Sequence, residues 1–423
     1  MMYIEIYFLM QLIILITLIV LYRKDYIAPE VIYSASMVLS SFSYIQLKDY
    51  WGRDISKETF EVMLASSCIF IFITLVSRFF FKKTSNNSVS EYNIKISNIY
   101  LAGSFFLATI NIIYTISFIG NVGSVLEYKE LLSFKQLENV FILKQLNKII
   151  LAYVYIAIYI LVNNVVLRHE KIAQQKILFC NIVYCIISVV VVSLSRQPFI
   201  EYLLYSIVIY FYLKNGSDVT GNSVLTIFKV LLCCFLCVPF FYYVAGYIGR
   251  DFERISSYGA FFYVGLYLSS GINFFNVIIM PNPAITEYFG QSSLSAIYYN
   301  FLIGKVLPDN VVDMTYHEFS TEYGNTVTIF GRWYEDWGTS GVFIMISLIA
   351  CFYSYFYYSN VRNNSDNKFY GILYAKIILA LAWAGYDDRI APLLSVNIFS
   401  ILFLMYLMYI LIVIKKIKIR MKV

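Results

Sequence analysis

Long uninterrupted apolar runs recur along the whole chain and limit its possible folds more than any other feature. A helix needs about 20 apolar residues to cross the hydrocarbon core of a bilayer. Only 14% of the residues are charged, whereas soluble proteins carry about 25%. Because lipid cannot satisfy backbone polar groups, such runs must form helices. We therefore predict an all-α, polytopic membrane protein.

The predicted spans number about eleven. No basic region precedes the first run and no small-residue cleavage site follows it, so we expect a retained helix rather than a signal peptide. The second and seventh spans have the weakest apolar character. The predicted spans cover residues 3–22, 28–47, 60–81, 97–119, 149–167, 177–195, 198–213, 225–245, 339–359, 370–387 and 393–414.

Lysine and arginine in the gaps between spans predict the orientation. They concentrate in alternate gaps and in the basic tail, which places the N-terminus outside and the C-terminus inside. The longest outer segment, 246–338, then forms a large extracytoplasmic loop between spans 8 and 9. Segment 120–148 shows helical spacing of apolar residues between charges, typical of an amphipathic helix at the outer interface. Within the large loop, 260–281 predicts a re-entrant or interfacial helix.

Several functional classes are excluded by missing patterns. The sequence has no ATP-binding loop and no dinucleotide-binding fingerprint. No basic patch suggests a nucleic-acid partner. All seven cysteines lie inside predicted spans, and the carboxylates do not follow the spacing of a standard metal site. We therefore predict one integral membrane domain over 1–423, without a metal or cofactor.

Arginines near predicted membrane boundaries are the first candidate functional group. All lie on the outer side in the predicted topology, where positive charge is disfavoured. Arginine grips phosphate oxygens through a planar, permanently charged fork, so such a set suits a lipid diphosphate. The alternative is that each arginine merely anchors its helix at the interface. The set comprises Arg196, Arg250, Arg254, Arg332 and Arg389.

Acidic and imidazole side chains in the same outer segments supply candidates for a general base. His317, Glu322 and Asp336 are the preferred ones, although a loop histidine is often only a surface residue. Glu201, Asp387 and Asp388 belong to the same acidic set. The aromatic side chains Trp333, Tyr334 and Trp337 suit sugar rings, while membrane interfaces also carry aromatic belts without binding sugars.

The late outer loop ends in Gly-Arg-Trp-Tyr-Glu-Asp-Trp-Gly at 331–338 before an apolar span. This arrangement resembles the Wzy-type O-antigen and capsule oligosaccharide repeat-unit polymerases. In that family a tyrosine, an acid and two glycines open the span after the catalytic loop. Tyr334, Asp336, Gly338 and Gly341 match them here, and Arg254 with Gly265 matches an Arg-x10-Gly spacing.

The resemblance implies a GT-C-like membrane enzyme of the bacterial inner membrane. Its reaction would join undecaprenyl-diphosphate-linked oligosaccharide units on the outer leaflet, with the lipid diphosphate as leaving group. Fixed arginines would stabilise the charge that develops on the diphosphate. The partners implied are membrane lipid, a flippase and a Wzz-like chain-length regulator. Alternatives are an O-antigen ligase of similar architecture and a flippase or other transporter. The sequence lacks the internal repeat that is typical of many transporters.

Overall fold

The structure is a computed structural model that describes residues 2–22, 25–81, 94–122, 138–168, 170–195, 197–215, 259–281, 289–294, 297, 317–319, 322–324, 326–362 and 367–414. Within these ranges the regular elements are helices, apart from one two-stranded hairpin. Seven helices are long and apolar enough to cross a membrane. The protein is thus a mainly helical, multi-pass membrane protein.

The helices described follow most of the predicted spans. In chain order they are α1 Tyr3–Tyr22, α2 Pro29–Gln46, α3 Lys48–Trp51, α4 Lys57–Phe80, α5 Asn98–Val122, α6 Glu138–Arg168, α7 Lys176–Ser193, α8 Gln197–Asn215, α9 Ala260–Phe274, α10 Gly331–Tyr355, α11 Phe369–Ile377, α12 Leu379–Ala382, α13 Ile390–Leu393 and α14 Val396–Met408. Shorter turns of other helical type are Ile172–Gln175, Phe275–Ile279, Phe356–Val361 and Tyr409–Ile414.

Two of the predicted spans have no matching single helix among the described residues. Predicted span 225–245 lies outside the described residues. Predicted span 370–387 is not one helix, because α11 ends at Ile377, α12 ends at Ala382, and the chain then turns. The total of eleven spans and the sidedness stay predictions.

The chain divides into two compact units. The first contains Met1–Asn86, Phe261–Asp366 and Ile377–Phe399, and the second contains Asn87–Ala260, Asn367–Lys376 and Ser400–Val423. The single membrane domain expected from sequence stays a prediction, since one membrane domain can contain two such units.

In the first unit, α1 packs on α2 and α4 packs on α10. Small polar residues let these helices approach closely, as is common between helices in lipid. Ser67 of α4 shows the pattern, because its hydroxyl is 3.0 Å from that of Tyr7 on α1 and 3.1 Å from that of Tyr33 on α2. Large apolar side chains such as Phe72 and Phe79 are instead exposed, as expected for surfaces that face lipid.

Helix α9 belongs to the sequence predicted to be re-entrant. Polar side chains of 260–281 form hydrogen bonds with residues on or beside α2, α3 and α4. Trp51 donates from Nε1 to Ser269 Oγ at 3.2 Å, and the Tyr44 hydroxyl donates to Asn273 Oδ1 at 3.3 Å. Asn276 Oδ1 accepts from the Ser56 amide at 2.7 Å. The segment is therefore tied to the first unit by its polar side chains, and its re-entrant depth stays a prediction.

In the second unit, α6 packs against α5, α7 and α8. Residues 138–148 are not a separate interfacial helix, because α6 runs without a break from Glu138 to Arg168. No glycine or proline interrupts that stretch, so a helix started at Glu138 propagates into the span. Residues 123–137 of the predicted amphipathic segment lie outside the described residues.

Candidate charged site at a helix corner

The family-like sequence at 331–341 forms a sharp corner in α10. Gly338 has φ 62° and ψ −156°, a backbone conformation that is essentially restricted to glycine. At Gly341, an added Cβ would lie 2.8 Å from the Trp333 carbonyl oxygen, which leaves no room for a side chain. The two matched glycines thus have a structural explanation: one turns the chain, and the other lets the turned segment pack closely.

The two acidic residues of the corner hold a neighbouring turn, residues 289–294. The Ser292 amide donates to Asp336 Oδ1 at 2.9 Å, and the Ser293 amide donates to Asp336 Oδ2 at 2.7 Å. The Ser293 hydroxyl also donates to Asp336, and the Ser292 hydroxyl donates to Glu335. Both Asp336 oxygens therefore accept hydrogen bonds from the turn, an anchoring role that differs from the general-base role predicted for it.

The corner's aromatic side chains pack mainly on one another. Trp333 is fully buried and stacks on Trp337 at a centroid distance of 6.2 Å. Phe289 lies 4.9 Å from the Trp337 ring, and Tyr334 meets Phe275 edge to face at 5.7 Å. Because Trp333 has no exposed face, its predicted stacking on a sugar is not available in this arrangement. Trp337 and Tyr334 remain partly exposed.

The second part of the site is the turn that follows α12. The Asp387 amide donates to the Trp383 carbonyl at 2.8 Å, and the Asp388 amide donates to the Val327 carbonyl at 2.8 Å. The Ile329 amide donates in return to the Ala384 carbonyl at 2.9 Å. The first bond closes the turn, and the other two join the segment leading into the corner to the turn at 383–389.

Two glycines allow that turn to sit between helices. A Cβ on Gly271 of α9 would lie 2.9 Å from the Tyr386 carbonyl carbon. A Cβ on Gly385 would lie 2.9 Å from the Ser36 carbonyl oxygen of α2. Contacts of this kind fall below the separation of real Cβ atoms, so larger residues would displace the backbone.

The joined segments bring two predicted arginines next to two aspartates. Arg332 Nε lies 4.0 Å from Asp388 Oδ2, and Arg389 Nε lies 2.7 Å from Asp387 Oδ2. The Asp388 side chain has no exposed area, and that of Arg332 is 15% exposed. The Arg389 side chain is 32% exposed and that of Asp387 is 13% exposed. We call these four residues the Arg–Asp cluster.

Burial dominates the electrostatics of the two aspartates, which lie outside every candidate span. Removal from water raises the pKa of Asp388 to about 6, with Arg332 and the Ile390 amide opposing the shift. Burial also raises the pKa of Asp387, against the opposing effects of Arg389 and Arg332. A carboxyl group that titrates near neutral pH can exchange a proton under working conditions, which the sequence alone did not reveal.

For the remaining predicted site residues, the structure describes only the backbone or nothing. Arg196, Arg250 and Arg254 lie outside the described residues. His317 and Glu322 lie on the strands β1 His317–Phe319 and β2 Glu322–Gly324, which pair antiparallel with Phe319 opposite Glu322. Their side chains lie outside the described part, so their roles as bases stay predictions. No group of three metal-ligand side chains occurs among the residues described.

Glu201 belongs to a different site, within the second unit. Its carboxylate accepts from Lys376 Nζ at 2.7 Å and from the Tyr155 hydroxyl at 3.2 Å. Gln197 Nε2 donates to the other oxygen at 2.6 Å. Lys376 Nζ also lies 4.9 Å from the centroid of the Tyr155 ring. These contacts compensate two charges that are costly to bury in a membrane protein.

Fold and site together define the class of the protein as a helical, multi-pass membrane protein with buried ionic clusters. No known protein family, curated protein or solved structure matches the chain.

Proposed function

We propose that the protein is a glycosyltransferase that joins lipid-diphosphate-linked oligosaccharide units into a polysaccharide at a membrane surface. The observation that carries this proposal is the Arg–Asp cluster, in which Arg332 and Arg389 meet two buried aspartates beside the Gly338 corner. The cluster unites two arginines that the predicted topology places on the same outer side, one before predicted span 339–359 and the other after predicted span 370–387. It lies next to the residues that resemble repeat-unit polymerases.

The chemistry needs an anion-binding group and a proton acceptor. A hydroxyl of one lipid-linked unit attacks the anomeric carbon of the growing chain, and a carboxylate or imidazole takes the hydroxyl proton. The bond from the anomeric carbon to the diphosphate oxygen breaks as the new glycosidic bond forms. The lipid diphosphate leaves with the bonding electrons and with one more negative charge than it carried as a diester.

Arginines suit the leaving group in particular. The charge on the diphosphate grows during bond breaking, so guanidinium groups bind the transition state more tightly than the ground state. In each pair, the ion-pair distance is measured to the Nε of the arginine. The opposite edge of a guanidinium carries two terminal nitrogens, whose geometry matches two phosphate oxygens. In this proposal, Arg332 and Arg389 contact the diphosphate through those edges.

The cellular setting follows from the same proposal. The enzyme would work in a bacterial inner membrane on undecaprenyl-diphosphate-linked units, beside a flippase and a chain-length regulator. No cofactor is needed, because the diphosphate bond already activates the sugar. An O-antigen ligase would share this chemistry and differ in its acceptor.

A transporter of lipid-linked oligosaccharide is the second candidate. The observation that favours it is the Lys376–Glu201 ion pair, at 2.7 Å and with side chains only 9% and 18% exposed. Buried charges inside membrane proteins often mark ion or substrate pathways. The polymerase remains our preferred proposal, because the pair has local hydrogen-bond partners that give it a structural role.

Deletion of the gene in its native host tests the proposal. A gel of surface polysaccharide should show molecules capped with single repeat units if the protein is a polymerase. Loss of all attached glycan would instead indicate a ligase or a flippase, and unchanged long chains would refute all three roles.

Complementation with variants then tests the cluster. Arg332→Lys should fail to restore long chains, because lysine keeps the charge but lacks the planar fork. Lys57→Gln is a suitable control, since Lys57 is exposed and pairs only locally with Glu61 in α4. Long chains from the Arg332→Lys variant would remove the diphosphate role from Arg332.

A further inference from the structure

The Arg–Asp cluster has a charge balance that affects how it can bind an anion. Two guanidinium groups face two carboxyl groups, so the formal charges cancel when both aspartates are ionised. A lipid diphosphate that carries a sugar is a diester with two negative charges. Its binding would place those charges beside Asp387 and Asp388, and like charges at short range destabilise one another.

We infer that the Arg–Asp cluster binds a diphosphate diester together with a proton, which is taken up by one of its two aspartates. This inference rests on the proposed function and specifies the state in which the site accepts its substrate. Protonation of one aspartate turns a neutral cluster into one of net charge +1. The arginine that faced the protonated carboxyl group then interacts with the phosphate oxygens in place of an ionised carboxylate.

Burial makes protonation of the aspartates accessible near neutral pH. Burial raises the pKa of Asp388 to about 6 and also raises that of Asp387. Asp388 Oδ2 accepts no hydrogen bond from any residue that the structure describes, and its ion pair with Arg332 spans 4.0 Å. Such a long contact compensates the buried charge only in part. A bound diphosphate would raise both pKa values further.

The groups that face these carboxyls come from several elements. Asp388 faces Arg332 from the corner, Asp387 from its own turn, and the amides of Ile390 and Ala391. The Tyr353 phenol of α10 also interacts electrostatically with Asp388. Asp387 faces Arg389 and Arg332. The positive charge of the two arginines favours the ionised form of the aspartates and so opposes their protonation. A diphosphate bound to the arginines would partly neutralise that charge, and protonation of an aspartate would become easier.

The other carboxylates of the corner are unlike these two. Glu335 accepts from the Ser292 hydroxyl, and Asp336 accepts from two amides and a hydroxyl of the turn at 289–294. The donors to Asp336 are two neutral amides and a hydroxyl, which a bound diphosphate would not draw away. Proton uptake on binding is therefore expected at Asp387 or Asp388.

Calorimetry on the intact protein measures this uptake directly. The probe is a farnesyl-diphosphate-linked monosaccharide, whose diester charge does not change between about pH 5 and pH 9 because its remaining acidic groups are strong acids. Binding enthalpies at about pH 7 are measured in two buffers of different ionisation enthalpy. Linkage predicts an uptake approaching one proton per probe bound. Binding with no proton exchange would overturn the inference.

The pH dependence of affinity gives a second readout. Above the pKa of the titrating aspartate, the dissociation constant should rise by up to about tenfold per pH unit. Asp388→Asn should bind more tightly than the wild type at about pH 8 and show a flatter pH profile. Asp387→Asn tests the other aspartate in the same way. Glu61→Gln, a change at an exposed ion pair in α4, should keep the wild-type profile.

The outcomes separate this inference from the proposed function. If the probe fails to bind at any pH, the diphosphate role of the cluster is wrong and so is the inference. If it binds without proton uptake, the proposed function stands and the inference fails. Should either asparagine variant fail to fold, the two-buffer measurement on the wild type still decides the question.

Discussion

Replacement of Gly338 by alanine tests whether the α10 corner has the geometry described. A Cβ at Gly338 would meet nothing within 4 Å among the described residues, so a steric clash with neighbours is not at issue. The penalty comes from the backbone, with φ at 62° and ψ at −156°. Gly103 in α5 also has nothing within 4 Å of its added Cβ, but it has helical backbone angles. The two substitutions thus differ mainly in backbone conformation.

The expected magnitudes have opposite signs. A non-glycine residue in the Gly338 conformation costs about 1–3 kcal/mol. Alanine in place of glycine inside a helix such as α5 gains about 1 kcal/mol. The two variants should therefore differ in free energy of unfolding by roughly 2–4 kcal/mol, with Gly103→Ala the more stable.

Amide hydrogen exchange locates the effect at the corner. The amides of Ser292 and Ser293 donate to Asp336, which lies two residues before Gly338. In the Gly338→Ala variant, local opening of the corner relieves the backbone strain and becomes more frequent. The two amides should then exchange roughly 5- to 150-fold faster, the ratio that corresponds to 1–3 kcal/mol. Gly103→Ala should leave their exchange unchanged. Equal stability and equal exchange in the two variants would refute the corner geometry.

Three further substitutions test other contacts. Lys376→Met should destabilise the protein by about 3–5 kcal/mol, because it removes the cation that faces buried Glu201. Adding Glu201→Gln should recover part of the lost stability. Thermal melts in which the effects of the two substitutions simply add would contradict this. Asp388→Asn should be more stable relative to wild type at pH 8 than at pH 5. The folded pKa is raised from 3.8 to about 6, so wild-type stability is lost as pH rises from about 4 to about 6. About one pKa unit of that window lies above pH 5, so the relative stability of the variant should increase by about 1.4 kcal/mol between pH 5 and pH 8. A difference independent of pH would be inconsistent with a buried, titrating Asp388. Gly271→Ala should lower the melting temperature, because the added Cβ would collide with the Tyr386 carbonyl at a cost of about 1–3 kcal/mol. An unchanged melting temperature would contradict that contact.

Most of the helical architecture was predictable because run length and apolar character are local properties. Predicted span 3–22 coincides with α1, and predicted span 339–359 begins one residue after the corner at Gly338. Where the prediction was wrong, the cause was a tertiary contact. The helix within 370–387 ends at Ala382, because the next residues turn and bond to the segment at 327–329.

The candidate site was predictable only in part. Arg332 and Arg389 were selected from residue type and position, and the structure brings both into one cluster. Their aspartate partners carry no sequence signal beyond membership of the general acidic set. The pairing of Arg332 with Asp388 depends on bonds between segments about 60 residues apart in the chain, which no local pattern encodes.

Asp336 has a contact that no sequence pattern predicts. Its position in a family-like motif made it a candidate general base, which stays a prediction, and the structure surrounds it with donors from Ser292 and Ser293. A serine pair 43 residues earlier gives no sequence signal for that contact. The adjacent Asp387, Asp388 and Arg389, next to a predicted span end, were the signal that could have identified the buried cluster.

Reconstitution with a defined substrate tests the central proposal most directly. The purified protein in lipid vesicles is given undecaprenyl-diphosphate-linked repeat units, without nucleotide or metal supplements, and the lipid-linked products are separated by size. The proposal predicts a ladder at integer multiples of the repeat unit, lost in the Arg332→Lys variant and kept in the Lys57→Gln variant. Recovery of single units only, with folded protein and intact substrate, would contradict it.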